Sequence, residues 1–306
     1  MTDFTLLMPL QLPSYHGFFE PDIASSQTLL GFPARFKFQR PYTYLELCQV
    51  PANQLEATLN DVRNALRWAA VRLDMGILTD PTALQQSATG VFDGKFATAI
   101  PSDIELRPMR VDASHKGEES TTRLIAAIEE GASKTELATS RGKKSLATAA
   151  EFFAAADFEI TANSQFLMLS TVFEVLADPK PRPTICIYLV EELIANIKQA
   201  SAVANNKGDA ETSDALQGLR DTIVHWKNES ISSSIRKLAT RVARLLGDAN
   251  PEQAGKRARD LYSRRNGLVH RGESVTWADV REFRELAREA IAVEAGCHQH
   301  IRERFP

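Results

Sequence analysis

From Ser145 to the C-terminus the chain repeats apolar residues at spacings of three and four, and it offers no strand candidate. That period belongs to one face of an α-helix, so this half of the chain is restricted to helix-on-helix packing. "LATAAEFFAAADF" (146–158) and "SQFLMLSTVFEVLA" (164–177) are two such segments, and Pro179, Pro181 and Pro183 end the second. "TICIYLVEELIANIKQASAVA" (184–204) follows, then a polar loop at 205–214, then "ALQGLRDTIVHWKN" (215–228) and "SISSSIRKLATRVARLLG" (230–247). A helix beginning near Asn250 and a last one over 276–301 complete an all-α domain spanning 145–306.

Residues 1–112 have a different texture. "FTLLMPLQL", "ARFKFQ", "TYLELCQV", "GKFATAI" and "IELRPMRV" are short, rich in β-branched and aromatic residues, and bounded by Pro or Gly, as strands are. Between them Leu55, Leu59, Val62, Leu66, Ala69 and Leu73 recur at helical spacing, with Gly76 as the expected stop. This half is expected to be a small α+β domain of unknown role. The polar "DASHKGEESTT" (112–122) and "SRGKKS" (140–145) mark a linker over 113–144 that carries one short helix. No internal repeat is present.

With 43% hydrophobic and 25% charged residues the chain can build a core, and disorder is not its main character. It has no run of eighteen apolar residues, and its N-terminus makes a poor signal peptide, so no membrane span is expected. Three dispersed cysteines (Cys48, Cys186, Cys297) fit neither a disulfide framework nor a zinc spacing, which points to a reducing, cytoplasmic setting. The net charge is −3, but Arg236 to Arg271 holds ten Lys/Arg against three acids. Such asymmetry suits a phosphate-binding face, and it also suits a solvated helix.

The densest part of that segment is "RDLYSRRNGLVHRGE", Arg259 to Glu273. Asn250-Pro251-Glu252-Gln253 is a helix start, with Asn as cap, Pro at the first position and Gln three residues after the cap. Gly272 is the expected stop. Ala254, Ala258, Leu261 and Leu268 fall on one stripe, and Arg265 falls inside it. A buried guanidinium without a partner would cost several kcal/mol, so Arg265 must meet a carboxylate, a backbone cluster, a ligand phosphate or a second protomer. Asn266 and His270 are one turn apart and gather with Arg265 at the helix end. The residues alone leave two readings open, a functional cluster or a structural ion-pair partner beside a C-cap histidine.

Arg265-Asn266-x-x-x-His270 resembles the Arg-x4–6-His motif of the HEPN superfamily. "LYSRRNGLVHRGE" is similar to the closing helix of its Apea-like branch, where Leu-Tyr, Arg, an apolar pair, His and Gly recur together. "FLMLSTVFEVLAD", with Glu174 before an apolar pair, resembles that branch's opening helix. The resemblance covers about 145–290 and implies a HEPN-like bundle acting as a metal-independent endoribonuclease, its cleft shared by two copies in a homodimer. Arg265, Asn266 and His270 would then be catalytic, Glu174 would hold Arg265, and Arg257, Arg264 and Arg271 would contact RNA. His270 suits proton transfer near neutral pH, and Arg265 suits a bidentate grip on phosphate. The resemblance implies no cofactor and no metal, a defence or toxin-type effector, and room for a regulatory partner. The alternative is a non-catalytic HEPN-like module that binds RNA or protein.

Other candidates carry less. Cys297-His298-x-His300 lacks a fourth ligand, so no metal is assigned to it. Gly142-Lys143-Lys144-Ser145 lacks the upstream glycine of a P-loop. His225-Trp226 is expected to pack inside a helix, and Asp93-Gly94 to form a hairpin turn.

Overall fold

The computed structural model describes residues 3–11, 27–39, 42–79, 84–88, 97–103, 126–131, 143–296 and 301. An N-terminal sheet is followed by a mostly helical C-terminal region. Seven strands, β1 (Asp3–Gln11), β2 (Gln27–Leu29), β3 (Phe32–Gln39), β4 (Tyr42–Pro51), β5 (Leu78–Thr79), β6 (Gln85–Gln86) and β7 (Thr98–Pro101), form one sheet. Their order is β2-β3-β4-β1-β7-β6, and β5 pairs with the end of β1 through Leu10 and Gln11. Among the described residues only β6 and β7 run parallel. The candidate strand 104–111, the polar stretch 112–122 and the Asp93-Gly94 turn lie outside the described residues.

The two-residue period of a strand decides what β1 does with its apolar run. Leu6, Met8 and Leu10 join the main core, while Leu7 turns to the opposite face and packs with Tyr44 and Ile100. Helix α1 (Leu55–Leu73) follows β4 after a 3-10 turn and supplies Leu55, Leu59, Val62, Leu66 and Ala69 to the main core. Its cap is not Gly76 but Asp74, held in the left-handed region at φ 54° with its N–H on the carbonyls of Ala70 and Val71. Gly76 has a different task, since a Cβ there would lie 2.6 Å from the Phe158 ring and 2.9 Å from the Ala154 carbonyl.

The chain forms two compact units, one of Met1–Leu176 with Arg264–Pro306 and one of Ala177–Ser263. These divisions differ from the changes of composition at 112 and 145, because helices beyond 145 pack onto α1. The first unit adds α2 (126–131), α3 (Lys143–Ala156), α4 (Ala162–Leu176), α9 (Trp277–Glu294) and the end of α8 (Pro251–Arg271). Ala127 and Ile128 of α2 and Ala154 of α3 complete the core beneath the sheet. Phe283 of α9 stacks between Phe166 and Phe173 of α4, with centroids 4.8 and 4.7 Å away. Arg284 lies 4.3 Å above the Phe153 ring and reaches both Asp74 and Asp157 at 2.6 Å. Arg288 donates to the carbonyls of Val71 and Arg72, at the C-terminal end of α1, and to that of Ile301.

The second unit holds α5 (Thr184–Asn206), α6 (Ala210–Val224), α7 (Ile231–Leu245) and the start of α8. The loop expected at 205–214 shrinks to Lys207, Gly208 and Asp209. Asp209 caps α6 by accepting from the Thr212 N–H, so the polar residues that suggested a loop lie on an exposed first turn. His225 and Trp226, expected as packing residues, instead form a 3-10 turn in which Trp226 is 50% exposed. No helix among the described residues is long and apolar enough to cross a membrane.

Candidate active site

Helix α8 begins and ends where its sequence signals place it. The Asn250 carboxamide accepts from the Gln253 N–H at 3.3 Å and donates back to the Gln253 side chain at 3.3 Å. Pro251 opens the helix, and Gly272 leaves it in the left-handed region at φ 67°.

Along the apolar stripe, Ala258 and Leu261 are fully buried and Tyr262 is nearly so. Beyond Tyr262 the stripe emerges from the core. Leu268 is half-buried, Val269 is 47% exposed, and the Arg265 side chain is 30% exposed. Arg265 therefore does not meet the full cost of a buried guanidinium. Its Nε lies 3.4 Å from Oε1 of Glu174, on the last turn of α4 and equally exposed. The pairing expected from the sequence is present.

Asn266 and His270 lie one turn apart on exposed positions of the same helix end. Among the described residues neither side chain has a hydrogen-bond or ion-pair partner. Arg265, Asn266 and His270 are thus brought to one helix terminus, with a fixed cation beside two uncommitted polar groups.

The three arginines expected to contact RNA are placed differently. Arg264 donates to Asp279 at 2.6 Å, and Asp279 is buried within the capping box that starts α9 with Thr276. Arg264 thus fastens α8 to α9 instead of projecting freely. Arg271 forms a double contact with Glu273, at 2.5 and 3.2 Å. Those hydrogen bonds raise the Arg271 pKa and hold the Glu273 carboxyl below the usual range. Arg257 is exposed and belongs to the second unit.

Asp279 and Glu273 were not singled out from the sequence. Thr276-x-x-Asp279 carries the spacing of a capping box, a signal of helix start that says nothing about which arginine will join it. Cys297, His298 and His300 lie outside the described residues, and among the described residues no three His, Cys, Asp or Glu side chains gather as metal ligands. Comparison with known protein families, with curated proteins and with solved structures finds no match to this chain.

Proposed function

We propose that the protein is a metal-independent endoribonuclease of the HEPN type, working as a homodimer with a shared cleft, in the manner of a defence or toxin effector. The observation that carries this reading is the Arg265 guanidinium, held by Glu174 at 3.4 Å beside exposed Asn266 and His270. The uncovered end of the α8 stripe, with Arg265 half-buried and Val269 47% exposed, supports a second copy as the group that completes the cleft.

In this reading the RNA 2′-oxygen attacks the adjacent phosphorus as it gives up its proton, and the bond from phosphorus to the 5′-oxygen breaks. His270 moves the proton at one of those two oxygens. Arg265 balances the charge that develops on the phosphate, its orientation fixed through Nε. Asn266 orients the imidazole or hydrogen-bonds the phosphate. The products are a 2′,3′-cyclic phosphate and a 5′-hydroxyl. The sheet-bearing N-terminal part would sense or regulate, with or without a regulatory partner.

A second reading draws on the same ion pair. Arg265 half-buried against Glu174 is also what a non-catalytic RNA-binding or protein-binding scaffold would use to set its packing. Incubating the protein with total RNA or tRNA in EDTA, beside Arg265→Ala and His270→Ala, separates the two. The nuclease reading expects cyclic-phosphate ends from the wild type and none from either variant. Intact RNA with the wild type, or equal cutting by the variants, leaves the scaffold reading.

A further inference from the structure

We infer that the α7–α8 surface of the second unit is a phosphodiester-backbone site for single-stranded RNA, carried by Lys237, Arg241, Arg244, Lys256 and Arg259. The inference rests on the proposed use of RNA as substrate and assigns where the strand is held.

The surface follows from how α7 divides its residues. Ile235, Leu238, Ala239 and Val242 are buried. At about 100° per residue, Lys237, Arg241 and Arg244 fall within about 60° of one another on a different side. All three are exposed, and the side chains of Lys237 and Arg244 are 67% and 68% exposed. Their successive rises of about 6 and 4.5 Å along the axis are comparable with the step between phosphates of an extended strand.

Helix α8 extends the same surface. Gly255 lies against α7, where a Cβ would meet the Arg236 carbonyl at 2.7 Å, so the helices approach closely there. Glu252, one turn before Lys256, reaches both Arg236 at 3.5 Å and Arg244 at 3.6 Å. It therefore identifies the side of α8 that adjoins the basic side of α7. Lys256 and Arg259 lie within about 60° of Glu252 around the helix and are placed on that side. Arg257 falls about 100° beyond Lys256, away from it.

Acids on this surface do not cancel it. Glu252 pairs with Arg236 and Arg244, Glu229 with Lys237 and Asp260 with Arg259, in contacts whose cations are 40% or more exposed, and Arg241 is engaged as well. Exposed pairs contribute little and are readily exchanged for a phosphate, the Lys237 pair less so because the Glu229 side chain is only 12% exposed. Three of the five cations are arginines, whose planar fork suits phosphate oxygens. No aromatic side chain stands among the five residues, so the surface suits the sequence-independent backbone and not the bases.

The test uses His270→Ala protein in EDTA, so that the RNA stays whole, with a fluorescein-labelled 20-nucleotide RNA of mixed sequence. Binding is followed by fluorescence anisotropy at several KCl concentrations. Adding Lys237→Ala, Arg241→Ala and Arg244→Ala together should weaken binding at least tenfold. It should also flatten the plot of log affinity against log salt by about 2, near 0.7 per lost phosphate contact. The Arg241→Lys, Arg244→Lys double variant should keep most of the slope. Unchanged affinity and slope in the triple variant, with an unchanged circular dichroism spectrum, would overturn the inference. So would displacement of the RNA by polyglutamate at equal charge concentration, which would mark an acidic protein as the occupant. Wild-type protein that leaves RNA uncut counts against the nuclease reading alone, because this binding is measured without cleavage.

Discussion

Nε of Arg265 stands 3.4 Å from Oε1 of Glu174, joining the exposed end of α8 to the last turn of α4 with both side chains 30% open to solvent. A pair so exposed contributes about 1 kcal/mol or less to stability, so its value lies in fixing the guanidinium. Glu174→Gln should therefore leave the melting temperature within a few degrees, and on the proposed nuclease reading it should lower kcat for RNA cleavage at least tenfold with little change in KM, while Glu174→Asp restores part of the rate. An unchanged kcat in the Gln variant would remove Glu174 from the site.

The Asp157 carboxyl is raised from 3.8 to about 6, chiefly by burial, which outweighs the pull of Arg284 at 2.6 Å. The folded chain thus holds this proton more tightly than the unfolded chain does. The stabilising contribution is complete below about pH 4 and is lost as pH rises through 6, on the order of 2–3 kcal/mol in all. Urea denaturation at pH 4.5 and 7.5 should show this loss in the wild type, and Asp157→Asn should show a smaller one. Equal pH dependence in both proteins would exclude Asp157 as its source.

Asp279 serves two helices, accepting from the Thr276 N–H and hydroxyl at the start of α9 and from Arg264 of α8 at 2.6 Å. Asp279→Ala removes a capping box and strands a charged partner, for an expected loss of about 1–3 kcal/mol. Guanidinium unfolding of this variant beside Arg264→Ala should show the larger loss for Asp279→Ala, because Arg264 is 46% exposed and can turn to water.

Gly131 and Gly255 sit where helices touch backbone to backbone or nearly so. A Cβ on Gly131 would lie 2.6 Å from the Ala65 carbonyl oxygen and 2.9 Å from its Cα, and neither can rotate aside. At Gly255 it would crowd the Thr240 hydroxyl and the Arg236 carbonyl. Ala improves helix propensity by about 1 kcal/mol, yet both Gly→Ala changes should destabilise, by about 1–3 kcal/mol, because overpacking prevails. A rise in the denaturation midpoint of either variant would show that the approach is looser than its geometry.

Local periodicity and end signals determined most of the secondary structure. The cap of α8 at Asn250, its stop at Gly272 and the helical character after 145 depend on neighbours a few residues apart, and those interactions are legible in order along the chain. The pairing of Arg265 with Glu174 was legible only in part, because an arginine inside an apolar stripe calls for a partner of several possible kinds, and the resemblance of the Glu174 helix named one of them. Tertiary structure alone decided the rest. Packing of Arg284 and Arg288 against the end of α1 gathered the sheet and the last helix into one unit, across a change of composition that had suggested a boundary. It also gave Arg264 to Asp279 and Arg271 to Glu273, leaving Arg265 the arginine held beside Asn266 and His270. A sequence specifies which charges a helix carries, but which of them find acids depends on what the folded chain brings opposite.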